Sequence, residues 1–223
     1  MQLQHTLAKQ VSLEGTGLHT GARARVTLVP APENYGIRVV RTDLPGRPEI
    51  QADIDNVVDL ARGTAIGNGT AKIHTLEHIM AAFAGMEIDN CVVEVDAQEI
   101  PQMDGSAQPW VELIREAGIL EQSAQREYIT IDEPVVHVDG DLALGVFPLE
   151  HFRLTCTIDF RHPALGVQYT TMFSLDEFEK NFAPARTFCF LSEIEKLREK
   201  ELIKGGTLDS ALVVQDVDLT QEH

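Results

Sequence analysis

His74, Glu77 and His78 stand at the spacing H-x-x-E-H. In zinc peptidases two histidines one helical turn apart hold the metal in such a motif, and the glutamate works on its bound water. Leu76, Ile79, Met80 and Phe83 fall at helical spacing around them, which predicts a helix over 74–85 with Thr75 as N-cap and Gly85 as C-cap. A cap at Thr75 leaves His74 outside the helix, so the two imidazoles share a face only if the helix starts earlier. The positive end of the helix favours an ionised Glu77 and a neutral His78 by about 0.3–1 kcal/mol. A neutral imidazole can ligate a metal and an adjacent carboxylate can take a proton from water. The plain alternative is an ordinary helix histidine beside a capping carboxylate.

Other groups are weaker singly. His19 lies in Gly15-Thr-Gly-Leu-His-Thr-Gly21, a glycine-rich turn without the G-x-G-x-x-G register of a dinucleotide site. His137 and Asp141 have the i, i+4 spacing of helical ligands, but the residues between them read as a hairpin turn. Asp104-Gly-Ser106, Phe160-Arg-His-Pro163 and Ala185-Arg-Thr-Phe188 are turn compositions.

Acidic residues outnumber basic ones by 35 to 18 in 223 residues, a net charge of −17, with no run of cations. A nucleic-acid partner is thereby disfavoured, and any phosphate contact must be local, with Arg186 and Lys204 as candidates. Cys91, Cys156 and Cys189 are an odd number, widely spaced, and read as reduced and mostly buried thiols. The first fifteen residues have no apolar segment of the signal-peptide kind, and no apolar run approaches the roughly 18 residues of a membrane span. The expectation is a soluble cytoplasmic chain without a membrane span.

Around these residues, 23–29 and 36–40 read as strands, 59–70 as a loop, 91–95 as a strand, 100–106 as a turn-rich loop and 109–117 as an amphipathic helix. The polar stretch 121–127 reads as a domain boundary. Beyond it, Leu154, Cys156, Ile158 and Phe160 alternate with polar residues as in a sheet with one buried face, and 175–182 and 191–202 read as helices. The pattern predicts an α+β protein of two similar domains, residues 1–122 and 127–223; one larger sheet is the alternative.

Taken together, the segments resemble the UDP-3-O-acyl-N-acetylglucosamine deacetylases, zinc enzymes of lipid A biosynthesis in Gram-negative bacteria. The likeness runs in order through Gly15–Gly21, Thr75-Leu-Glu-His78, Ile88-Asp-Asn90, Glu99-Ile-Pro-Gln-Met-Asp-Gly-Ser106, Phe160-Arg-His-Pro163, Ala183-Pro-Ala-Arg-Thr-Phe188 and Lys204-Gly-Gly-Thr-Leu-Asp209. It is more specific than H-x-x-E-H and demotes the peptidase reading. The resemblance implies two α+β domains, each a sheet packed on helices, with the active site in the cleft between them. It implies Zn2+ with His78 as a ligand, Glu77 as the general base for attack on the N-acetyl carbonyl, and Thr187 stabilising the oxyanion. Phe188 would border the acyl-chain passage, His19 and Asp104 would lie in or near the cleft, and His74 has no role. The substrate would be UDP-3-O-acyl-N-acetylglucosamine, and some relatives carry a second lipid-pathway domain fused at the C-terminus.

The same resemblance places two further zinc ligands, a histidine and an aspartate, and a general-acid histidine several tens of residues beyond the Gly-Gly-x-x-Asp segment. The expectation is therefore a metal-poor, inactive piece of an active enzyme. A non-catalytic nucleotide-sugar-binding relative, or a chain completed by a partner, are the alternatives.

Overall fold

Alternation at the start of the chain becomes strand where it was expected. The computed structural model describes residues 2–163 and 165–215. It opens with β1 (Leu3–Leu7), β2 (Val11–Thr16), β3 (Arg23–Pro30), β4 (Ile37–Arg41) and β5 (Glu49–Gln51). Three short strands follow, β6 (Val57–Asp59), β7 (Ala65–Gly67) and β8 (Lys72–Ile73), then α1 (Glu77–Gly85), β9 (Cys91–Val95), α2 (Gln108–Ala117) and β10 (Ile119–Gln125). The main sheet has the order β2-β3-β9-β4-β5, antiparallel except for the parallel β4–β9 pair. Val26, Leu28, Val93 and Val95 from its centre join Ile79 and Phe83 of α1 and Trp110, Val111 and Ile114 of α2 in one buried cluster. Full burial of side chains of this size contributes about 1.5–3 kcal/mol each, which is what seats both helices.

The remaining elements are β11 (Val135–Asp139), β12 (Leu142–Val146), β13 (Leu154–Asp159), β14 (Val167–Met172), a 3₁₀ turn (Leu175–Glu177) running into a π-helical turn (Phe178–Phe182), β15 (Phe188–Phe190), α3 (Leu191–Glu199) and β16 (Leu212–Val214). β11–β12 and β13–β14 are antiparallel hairpins and β15–β16 is a parallel pair. The whole is α+β, as the sequence predicts.

Several expectations change. The stretch 59–70 is not all loop: β7 pairs with β6 and β8, Ile66 lying opposite Val57 and Ile73. The polar stretch 121–127 is largely strand β10, antiparallel to β1. Its polar groups are hydrogen-bonding partners: Gln122 accepts from Asn90 at 2.7 Å, and Arg126 binds the Asp89 carboxylate at 2.8 Å. The alternation over 154–160 does form a strand, but β13 has no buried face, and Leu154 and Ile158 are exposed. A two-stranded hairpin buries a face only where a second layer covers it, and the described residues supply none there. Cys91 is buried, Cys189 partly so, and Cys156 is exposed, against the expectation of mostly buried thiols; all three are free.

The helix expected from residue 74 begins at Glu77, with Leu76 as its cap. Thr75 is not the N-cap. It takes a left-handed backbone (φ +64°), and its hydroxyl donates to Glu99 at 3.1 Å instead of to the helix. At the other end Gly85 is the last helical residue and Met86 the cap.

Candidate active site

Glu77 opens α1, and its Oε2 accepts the Thr64 N–H at 2.8 Å. The carboxylate is thus fixed by a backbone donor from the segment between β6 and β7. His78 follows on the first turn. Burial holds its imidazole below the ordinary histidine value, while the Glu77 and Asp104 carboxylates pull the other way. The net direction favours the neutral ring.

Asp104 lies in the loop before α2. Its carboxylate accepts the Ser106 N–H at 3.0 Å and the Ser106 hydroxyl at 2.7 Å, and that hydroxyl in turn accepts from Gln108 N–H. Gly105 has φ +82°, and a Cβ there would overlap the Ser210 carbonyl oxygen. Only glycine suits both the backbone and the space. The Gly105 carbonyl accepts the Thr187 N–H at 2.7 Å, and the Thr187 carbonyl accepts the Leu212 N–H at 3.0 Å. Thr187 is thereby seated beside the Asp104 loop. Phe188, the next residue, opens β15 and packs edge-on against Phe160 at 5.4 Å and Phe190 at 5.7 Å.

His19 sits in the turn between β2 and β3. Its Nε2 is 3.3 Å from the Arg62 carbonyl, and its Nδ1 is buried without a hydrogen-bond partner. Segment 62–64 therefore touches His19 at one end and Glu77 at the other. Arg62 also pairs with Glu193 of α3 at 2.7 Å.

The predicted residues divide clearly. Glu77 and His78 adjoin at the start of α1, the Asp104 carboxylate acts electrostatically on His78, Thr187 is bonded to the Asp104 loop through Gly105 with Phe188 next in the chain, and segment 62–64 links His19 to Glu77. His74 is outside α1, in an isolated backbone bridge with Glu99, so H-x-x-E-H does not lie on one helix face. His137 and Asp141 flank the β11–β12 turn, where Asp141 pairs with Arg161. Arg186, a candidate phosphate contact, is engaged with main chain: its guanidinium donates to the carbonyls of Asp104 (2.6 Å), Leu208 (3.1 Å) and Asp209 (2.7 Å). Lys204 lies 3.7 Å from Glu201 and, with Thr16, Met103, Thr207 and Ser210, lines a cavity of about 550 Å³ that Glu77 and His78 do not reach.

Residues missed from the sequence are Thr64, which acts through its backbone and so has no signature in its side chain, and Glu99. Glu99 stands at the head of the motif segment 99–106, which was the available signal for it. Among the described residues no three His, Cys, Asp or Glu side chains gather as metal ligands. The neutral His78 ring suits a zinc ligand, but the described donors do not complete a site, since zinc takes at least three protein ligands.

A family model described as UDP-3-O-acyl N-acetylglycosamine deacetylase matches residues 4–223. A UDP-3-O-acyl-N-acetylglucosamine deacetylase of Myxococcus xanthus is 46% identical over 217 residues, covering 97% of this chain and 69% of that protein. A bifunctional LpxC/FabZ enzyme of Chlorobaculum tepidum is 45% identical over 221 residues, 98% of this chain and 47% of that protein. A second bifunctional enzyme of that name, from Porphyromonas gingivalis, is 42% identical over 225 residues, 100% of this chain and 49% of that protein. The chain thus spans about half the length of the bifunctional relatives and about two thirds of the single-function one. With the family match running almost end to end and a relative 46% identical, the chain belongs to the UDP-3-O-acyl-N-acetylglucosamine deacetylase family.

Proposed function

We propose that this chain forms the Glu77–His78 part of a zinc-dependent deacetylase that removes the N-acetyl group of UDP-3-O-acyl-N-acetylglucosamine in lipid A biosynthesis, in the cytoplasm of a Gram-negative bacterium. The observation that carries the reading is the adjacency of a backbone-anchored Glu77 carboxylate and a desolvated, neutral-leaning His78 at one helix start. In this reading Glu77 takes a proton from the attacking water and Thr187 stabilises the oxyanion. Phe188 borders the acyl passage, with His19 and Asp104 in the cleft between domains 1–122 and 127–223. The names of the relatives and the contact of Thr187 with Gly105 support it. No described helix is long and apolar enough to cross a membrane.

His78 is the zinc ligand this reading assigns, and the chain alone is metal-poor and inactive. Elemental analysis of the purified 223-residue chain tests this, beside the product of the same gene read through whatever follows codon 223. The expected result is well below one zinc in the chain and about one in a longer product, with acetate released from UDP-3-O-acyl-N-acetylglucosamine only by the latter. One tightly held zinc in the short chain, or a robust rate abolished by Glu77→Ala, overturns the inactivity. No acetate from a zinc-loaded longer product overturns the deacetylase reading. A non-catalytic nucleotide-sugar-binding relative is the second reading, favoured by the incomplete donor set; it predicts UDP-sugar binding without acetate release.

A further inference from the structure

Glu99 is the only buried acidic residue among the described residues, 1% exposed, and the proposed chemistry does not use it. Its Oε1 accepts the His19 N–H at 2.9 Å and the Thr75 hydroxyl at 3.1 Å. Its Oε2 accepts the Thr20 N–H at 2.8 Å and the Thr20 hydroxyl at 2.6 Å. Four donors on one buried acceptor pair offset the desolvation that would otherwise expel such a group. The turn closes directly on it, because a Cβ at Gly17 would overlap the carboxylate.

These partners belong to the two segments that present the site. The first carries His19. The second is Thr75, whose left-handed backbone redirects the chain just before Leu76, Glu77 and His78. The circuit closes through segment 62–64, with the Arg62 carbonyl at the His19 ring and the Thr64 N–H on Glu77. We propose that Glu99 is the positioning residue of this site, setting the His19 turn and the start of α1 in register with each other. The significance of that register rests on the reading of Glu77, His78 and His19 as site residues.

Each Glu99 oxygen faces one backbone N–H, which can only donate. A glutamine must therefore turn its NH2 group against one of them, whichever way the amide is placed. The test uses amide resonances and hydrogen exchange of the isotope-labelled chain. Glu99→Gln is expected to lower protection of the His19 or Thr20 amide by roughly tenfold or more and to move the Thr64 and Glu77 amides, while Val26 and Val93 in the sheet stay in place. Thr75→Val removes a single hydroxyl and is expected to shift the His19 and Thr20 amides across the carboxylate, with Thr75→Ser restoring them. A folded Glu99→Gln chain with His19, Thr20, Thr64 and Glu77 unmoved overturns the proposal. If Glu99→Gln does not fold, Thr75→Val decides: shifts confined to its own neighbours overturn it, and shifts reaching His19 and Thr20 support it. Because the readout is geometry and not turnover, failure of the deacetylase reading would be seen separately.

Discussion

Thr64 donates its backbone N–H to Oε2 of Glu77 at 2.8 Å, so the position of the proposed base is set by main chain rather than by another side chain. Glu77→Gln keeps an oxygen that can accept this bond and loses the proton-accepting charge. The variant is expected to melt within a few degrees of the parent while a deacetylase-active form of the protein loses about 10²–10⁴-fold in rate. Acetate release beside thermal melting checks both halves. An active Gln variant would remove Glu77 from the chemistry.

Gly105 is the hinge between the Asp104 loop and Thr187, and two independent penalties meet there. Gly105→Ala puts a side chain at φ +82° and against the Ser210 carbonyl, whereas Gly69 has a similar φ of +83° with open space around it. Strain alone costs on the order of 1 kcal/mol, and overlap adds about 1–3 kcal/mol. Gly105→Ala is therefore expected to lower stability well beyond Gly69→Ala in urea titrations. Equal effects would mean that the Ser210 contact yields easily and does not fix Thr187.

What could be read in the sequence was what local pattern decides. Strand 23–29, strand 91–95 and helix 109–117 emerge nearly as expected because their apolar residues alternate or recur with the helical period and face one core. The start of α1 was misread because the Thr75 hydroxyl is taken by Glu99, 24 residues away, and no local rule sees that partner. β7 escaped because pairing, not composition, makes Ala65–Gly67 a strand. For β11 to β14 the strands were legible and their burial was not, since burial depends on what lies over a sheet. Within the proposed site, Glu77, His78, Asp104 and Thr187 stand in motif segments that the sequence shows, whereas the backbone donor at Thr64 leaves no mark in residue type. Arg186 reads as a lone cation in the sequence, and its carbonyl partners emerge only in the fold.

The histidines separate the peptidase and deacetylase readings. His74 lies before α1, held by backbone bonds to Gln98 and Ile100, and burial lowers its pKa. His78 is on the helix beside Glu77. In a zinc-binding form of the protein, His78→Ala is expected to lower zinc affinity severely, at least about 10-fold, and His74→Ala to leave it nearly unchanged. Metal competition with a chromogenic chelator reads the difference. Equal losses would restore His74 as a ligand and the peptidase motif with it.

Arg62 and Glu193 link segment 62–64 to α3, and this link carries a pH dependence of definite sign. The Arg62 guanidinium, by hydrogen bond first, holds the Glu193 carboxyl below its ordinary value of 4.5. A carboxylate with a depressed folded-state pKa adds stability above its unfolded value and loses it as the pH falls through the folded one. The pair is partly exposed, so the effect is local and screened by salt. Hydrogen exchange at the Thr64 amide, corrected for the intrinsic rate, is expected to show constant protection from pH 8 down to about 5 and a decline only below the ordinary carboxylate value. Arg62→Gln should shrink that decline and lower protection at neutral pH. A parent chain whose Thr64 protection changes between pH 5 and 8 would instead place the controlling titration on a histidine.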